Sequence, residues 1–156
     1  MSQIRPSLMK NILTTIKEIE TTTISSPVVV RTIQLAAAFS SKTHIIHVAP
    51  PEREPIYNVD RDLFKAEIIS GLREKQSYLE NVAAQMRAAT IDVTPLLERG
   101  PIIKTIIREA DRLSSDLIII GRDKHGPLFK ALMDHTDKGL LAKSNCPIMF
   151  VPVWRS

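Results

Sequence analysis

The chain has 156 residues, of which 44% are hydrophobic and 24% charged. That is the composition of one globular domain able to bury a core without disulfides or metals. Its formal charge is +4, but 21 Lys and Arg are interspersed with 17 Asp and Glu, and aromatic residues make up only 4%. This argues against the stacking surfaces of single-strand binders, and no helix-turn-helix or zinc-finger spacing occurs, so no nucleic-acid partner is expected. No apolar run reaches the roughly 18 residues of a membrane span, so no membrane partner is expected either. Residues 1–10 lack the apolar core of a signal peptide and read as a polar lead-in to a domain over residues 11–154.

Asn11 to Ile16 is a short β-like run before the polar stretch Lys17 to Thr23. Ser25-Ser26-Pro27 offers a helix start, with serine as cap and proline in the first turn. Val30, Ile33, Ala37 and Ala38 then follow a helical period. Thr43 to Val48 is a second strand. Pro50, Pro51 and Pro55 mark a long loop. A helix is expected from about Arg61 to Ala88, with Ile68, Leu72, Leu79, Val82 and Met86 on one face. Ile91 to Leu97 is the third strand, and Pro95 suggests an edge position or an irregularity. Gly100-Pro101 opens a helix to about Leu113, with Ile103, Ile106, Ile107 and Ala110 as its apolar stripe. Asp116 leads into Leu117-Ile-Ile-Ile120, which suits a strand covered on both faces. A polar turn from Gly121 to Pro127 and a helical stretch to Lys143 precede a last strand, Cys146 to Val153.

Strands alternating with helices imply parallel pairing and right-handed crossovers. The expected fold is α/β, a doubly wound, five-stranded, mainly parallel sheet with helices on both faces. Ligands of such sheets sit at the carboxyl ends of the strands. Known phosphate-binding signatures fail there. The turn after the first strand is Lys17-Glu18-Ile19-Glu20, without the glycines of a dinucleotide fingerprint, and no P-loop sequence occurs. The receiver-domain carboxylates are missing too. His44 and His47 are separated by an odd spacing and face opposite sides of their strand, so they do not share a metal. Asp123, His125, Asp134 and His135 follow no recognised ligand spacing. Cys146 lies in an apolar run with no base beside it, which reads as a structural thiol in a reducing compartment.

Gly100-Pro101-Ile102, an amphipathic helix, Asp116-Leu-Ile-Ile-Ile-Gly121 and Cys146-Pro-Ile-Met-Phe-Val151 follow one another in an order and spacing that resemble the universal stress proteins. Asn11-Ile-Leu13, Ala36-Ala37-Ala38 and Thr43-His-Ile-Ile-His-Val48 resemble that family's first half more loosely. ATP-binding members carry G-x2-G-x9-G-[ST] after the fourth strand, where glycines turn backbone N–H groups onto the phosphates. Here Gly121 matches, but Lys124 stands at the second glycine and Asp134-His135 at the last pair. Asp134 brings a carboxylate towards the phosphates. The family's nucleoside-holding aspartate after the first strand is Lys17.

The resemblance to the non-ATP-binding branch therefore implies no cofactor, with ATP or AMP as the alternative. It implies a non-catalytic, cytoplasmic protein of stress adaptation or regulation, not an enzyme. Gly121, Lys124, Gly126 and His135 remain as a degenerate nucleotide or anion site, with Arg122, His125 and Lys130 adding positive charge. The family commonly pairs through its last strand, which implies a homodimer with Ile148, Phe150, Val151 and Val153 at the contact. Two alternatives stay open: an ATP- or AMP-binding regulator, and an interaction module acting on a regulatory protein partner such as a transporter or kinase.

Overall fold

The computed structural model describes residues 9–17, 23–51, 60–122 and 139–152. Five strands alternate with helices: β1 (Asn11–Thr15), α1 (Pro27–Phe39), β2 (Lys42–Ala49), α2 (Arg61–Ala88), β3 (Asp92–Arg99), α3 (Ile102–Arg112), β4 (Leu117–Arg122), α4 (Leu140–Lys143) and β5 (Ile148–Pro152). All four strand pairings are parallel, and the order across the sheet is β3-β2-β1-β4-β5. The expected doubly wound architecture is thus present, and β3, with its Pro95, is an edge strand.

Side-chain alternation divides the core into two layers. Ile12, Ile45, Leu117 and Ile119 point to one face and pack with Val28, Val29 and Ala36 of α1 and Leu79, Val82, Ala83 and Met86 of α2. Leu13, Ile46, Ile118 and Ile120 point to the other and pack with Ile106 and Ala110 of α3. Ile118, Ile119 and Ile120 are fully buried, as a central strand covered on both faces requires.

The stripe expected for α1 is displaced. Val28, Val29, Thr32 and Ala36 are buried, whereas Val30, Ala37 and Ala38 are exposed and Ile33 is half-buried. Thr32 conceals the true stripe from a hydropathy reading. Its hydroxyl donates to the Val28 carbonyl at 2.7 Å and meets the Thr14 hydroxyl at 2.9 Å, so a polar side chain is buried with its partners supplied. Ser26 and Pro27 do start the helix, but the serine hydroxyl accepts from Thr23 N at 2.8 Å instead of capping a helical amide. The last strand begins at Ile148 and not at Cys146. Ser144 Oγ donates to the Cys146 carbonyl at 2.7 Å and holds those residues in a turn.

Helix α2 runs 28 residues and is capped by Asp60, whose carboxylate accepts from Asp62 N at 3.0 Å and Leu63 N at 3.3 Å. Its buried residues all fall in the second half. Helix α3 starts after Gly100, which has φ +145°. A Cβ there would lie 2.9 Å from Thr105 Oγ1, so both backbone angle and space call for glycine before this helix.

Candidate functional site

In this strand order the chain reverses direction across the sheet between β1 and β4, the place where doubly wound sheets take ligands. The carboxyl end of β1 carries Thr15, Ile16 and Lys17, and β2 presents Ile46, His47 and Val48 beside them. The first two turns of α3 close the space with Ile102 and Ile106. These residues enclose a cavity of about 50 Å³, room for a few water molecules. Most of its lining is branched aliphatic, and Lys17 contributes a cation.

The two strand ends are fixed to each other. Ile16 N donates to the Ile46 carbonyl at 2.8 Å, which extends the β1–β2 ladder past the last residue of β1. His47 Nδ1 lies 2.7 Å from the Ile16 carbonyl. A carbonyl only accepts, so Nδ1 carries the proton and donates. His47 is thereby a tie between the two strands that wall the cleft. Thr15 Oγ1 lies 3.5 Å from the Ile119 carbonyl and links β1 to β4 on the other side.

His44 points to the α3 face with Leu13 and Ile46, and His47 to the face of Ile45, as their spacing implies. Burial, and then the nearby Lys42 and Arg112 cations, lower the His44 pKa below 6.5 against the opposing pull of Asp92 and Glu109. Glu109 was not legible as a core residue, yet its side chain is only 5% exposed. Arg112 Nε donates to its Oε2 at 2.7 Å, and Arg108 Nε lies 3.5 Å from Oε1. A buried carboxylate is tolerable here because it is paired. Burial also raises the Cys146 thiol, which is half-buried, so the group is poorly suited to nucleophilic chemistry. Among the described residues no group of three or more His, Cys, Asp or Glu is placed to hold a metal ion.

Of the residues singled out in the sequence, Lys17 lines the cleft, and Gly121 lies at the end of β4, half-buried, in register with Val151. Lys124, Gly126 and His135 lie outside the described residues, as do His125, Lys130, Asp134 and the proposed contact residue Val153. Ile148 and Phe150 are half-buried on the α3 face of β5, and Val151 is buried on the other. Ile102, which helps to close the site, was not singled out for it. The signal for Ile102 was its position directly after the Gly100-Pro101 break, which sets it in the first turn facing the strand ends.

Asp116 explains a feature of the motif that hydropathy does not. Its Oδ2 accepts from Lys10 N and Asn11 N, both at 2.9 Å, and its own N–H donates to the Asn11 carbonyl at 2.8 Å. The aspartate before β4 thereby fastens β1 in register with β4 and sets the spacing of the two strand ends at the switch point.

Comparison with known proteins agrees with this architecture. A universal stress protein from Burkholderia pseudomallei superposes with a TM-score of 0.65 over 94% of this chain and 98% of that one, at 18% identity. A universal stress protein in complex with cAMP gives 0.59 over 95% and 100%, at 17% identity. The Archaeoglobus fulgidus protein in complex with dAMP gives 0.57 over 92% and 98%, at 14% identity. No curated protein sequence matches. The family model for the universal stress protein family matches residues 9–152, which spans every element of the fold just described. With the doubly wound sheet, the glycine before α3 and the aspartate before β4 all in place, the chain belongs to the universal stress protein family.

Proposed function

We propose that this chain is a non-catalytic, cytoplasmic regulator of stress adaptation that acts as a homodimer and does not depend on a bound nucleotide. The observation that carries this reading is Lys17 in the cleft at the carboxyl end of β1. ATP-binding relatives are expected to place an aspartate there, and a carboxylate accepts hydrogen bonds from sugar hydroxyls. An ammonium has donors only and accepts none. The sequence reading of Lys124 and Asp134 in place of loop glycines points the same way. Titration calorimetry with ATP, AMP, cAMP and dAMP tests the reading: the expected result is binding no tighter than millimolar. Micromolar affinity for any of the four overturns it.

A second reading, a nucleotide- or anion-binding regulator, has its own support. The cleft lies where doubly wound sheets take ligands, Lys17 is cationic, and two relatives of this fold were solved with cAMP and dAMP. The same titrations separate the two readings.

Self-association rests on β5. Among the described residues, β5 pairs with β4 alone. Ile118 N donates to the Pro147 carbonyl at 3.0 Å, which turns the groups of 147, 149 and 151 inward. Those of Ile148, Phe150 and Pro152 point outward, the proline with a carbonyl only. The strand Ile-Met-Phe-Val-Pro carries no charge, so its outer side suits a second strand. Replacing Phe150 with Lys on this strand is expected to leave a monomer in sedimentation velocity.

A further inference from the structure

The two edges of the sheet differ. At the end of β3, Gly100 N donates inward to the Ala49 carbonyl at 3.1 Å. Alternation along the strand then sends the backbone groups of Val93, Pro95, Leu97 and Arg99 outward. The first two of these positions are closed. The Val93 carbonyl accepts from Arg87 Nε at 3.2 Å and from the terminal Nη2 at 2.8 Å, so a guanidinium from α2 reaches over the edge and occupies it. Pro95 has no N–H to offer. Asp92, Glu98 and Arg99 add charge along the same strand. A strand arriving on β3 would have to displace Arg87 and would find no donor at the next outward residue. Among the described residues, the outward positions of β5 are Ile148, Phe150 and Pro152; the last also lacks an N–H, but Ile148 and Phe150 keep donor and acceptor and no side chain is bonded across them.

This asymmetry matters for symmetry. Pairing β5 with β5 about a two-fold axis uses each free edge once and stops. Pairing β5 of one molecule with β3 of the next leaves a free edge at each end and repeats without limit. We infer that Arg87 and Pro95 close the β3 edge against a second copy of this chain, so that self-association through the sheet ends at two. The inference builds on the β5 pairing proposed above.

The test replaces Arg87 with Met, which keeps the aliphatic stem but removes the donors, and combines it with Pro95→Val, which restores an outward N–H. Sedimentation velocity is followed over a rising concentration series, with folding checked by circular dichroism and cooperative unfolding. For the wild type the distribution is expected to level off. For R87M/P95V it is expected to shift to faster species that keep growing with concentration. A folded R87M/P95V with the wild-type distribution overturns the inference. If the double variant fails to fold, R87M alone is judged by the same comparison. Because the readout is growth beyond the wild type, it stands apart from the β5 reading. That reading fails instead if wild type and F150K sediment identically as monomers.

Discussion

Asp116 accepts two backbone amides across a separation of more than one hundred residues, and this fixes its consequence when removed. Asp116→Ala leaves Lys10 N and Asn11 N without an acceptor. A hydrogen bond to a charged group lost at a half-buried site costs about 1–3 kcal/mol, so a clear drop in the denaturant midpoint is expected. Asp116→Asn keeps one acceptor oxygen and should fall between. His44 makes a separate statement about pH. It is buried on the α3 face, with Lys42 beside it on β2, Asp92 on β3, and Glu109 and Arg112 on α3. In the unfolded chain it takes a proton near 6.5, and in the fold only at a lower pH. Its contribution to stability is therefore fully present above the ordinary value, declines as pH falls below it, and is gone once the folded value is passed. Urea midpoints of wild type and His44→Leu, compared between about pH 8 and about pH 5, should show a shallower acid-side loss for the variant. Equal slopes would remove His44 as a cause.

At the level of elements, α2 is unequal along its length. Leu79, Val82, Ala83 and Met86 are buried in the core, whereas Leu63 and Ile69 are exposed and Phe64, Ile68 and Leu72 are half-buried. Met86→Ala removes a fully buried side chain and is expected to cost about 2–5 kcal/mol, whereas Leu63→Ala should be close to neutral. Amide exchange should be faster in the first four turns than in the last three. The apolar period, following a loop marked by three prolines, made α2 legible. Pro95 made the edge position of β3 legible for the same kind of reason, a backbone group that proline lacks. The stripe of α1 was not legible, because Thr32 does the work of an apolar residue once Thr14 and the Val28 carbonyl satisfy its hydroxyl. The clamp of Arg87 on β3 was not legible either. It depends on how the chain turns at Thr90, held at φ 64°, to bring Val93 back beside α2.

For the whole molecule, the doubly wound sheet and the family followed from the order of motifs, since each strand's burial leaves its mark as an apolar run. The site was legible only in part. Gly121 and Lys17 could be placed by counting, and both lie at strand ends beside the switch point. The α3 wall of the cleft could not be read, because Ile102 and Ile106 reach the strand ends through the crossover and not through sequence spacing. The order β3-β2-β1-β4-β5 carries one more consequence, for the growing chain. β1 is made first but sits in the centre, and its partner on one side, β4, begins at Leu117. Ile12 and Leu13, both with no exposed surface in the fold, acquire that neighbour only after about three quarters of the domain has been synthesised. On the ribosome the first strand is thus held for the longest time against the least complete structure. Anything that delays β4 prolongs the period in which that strand can find the wrong partner.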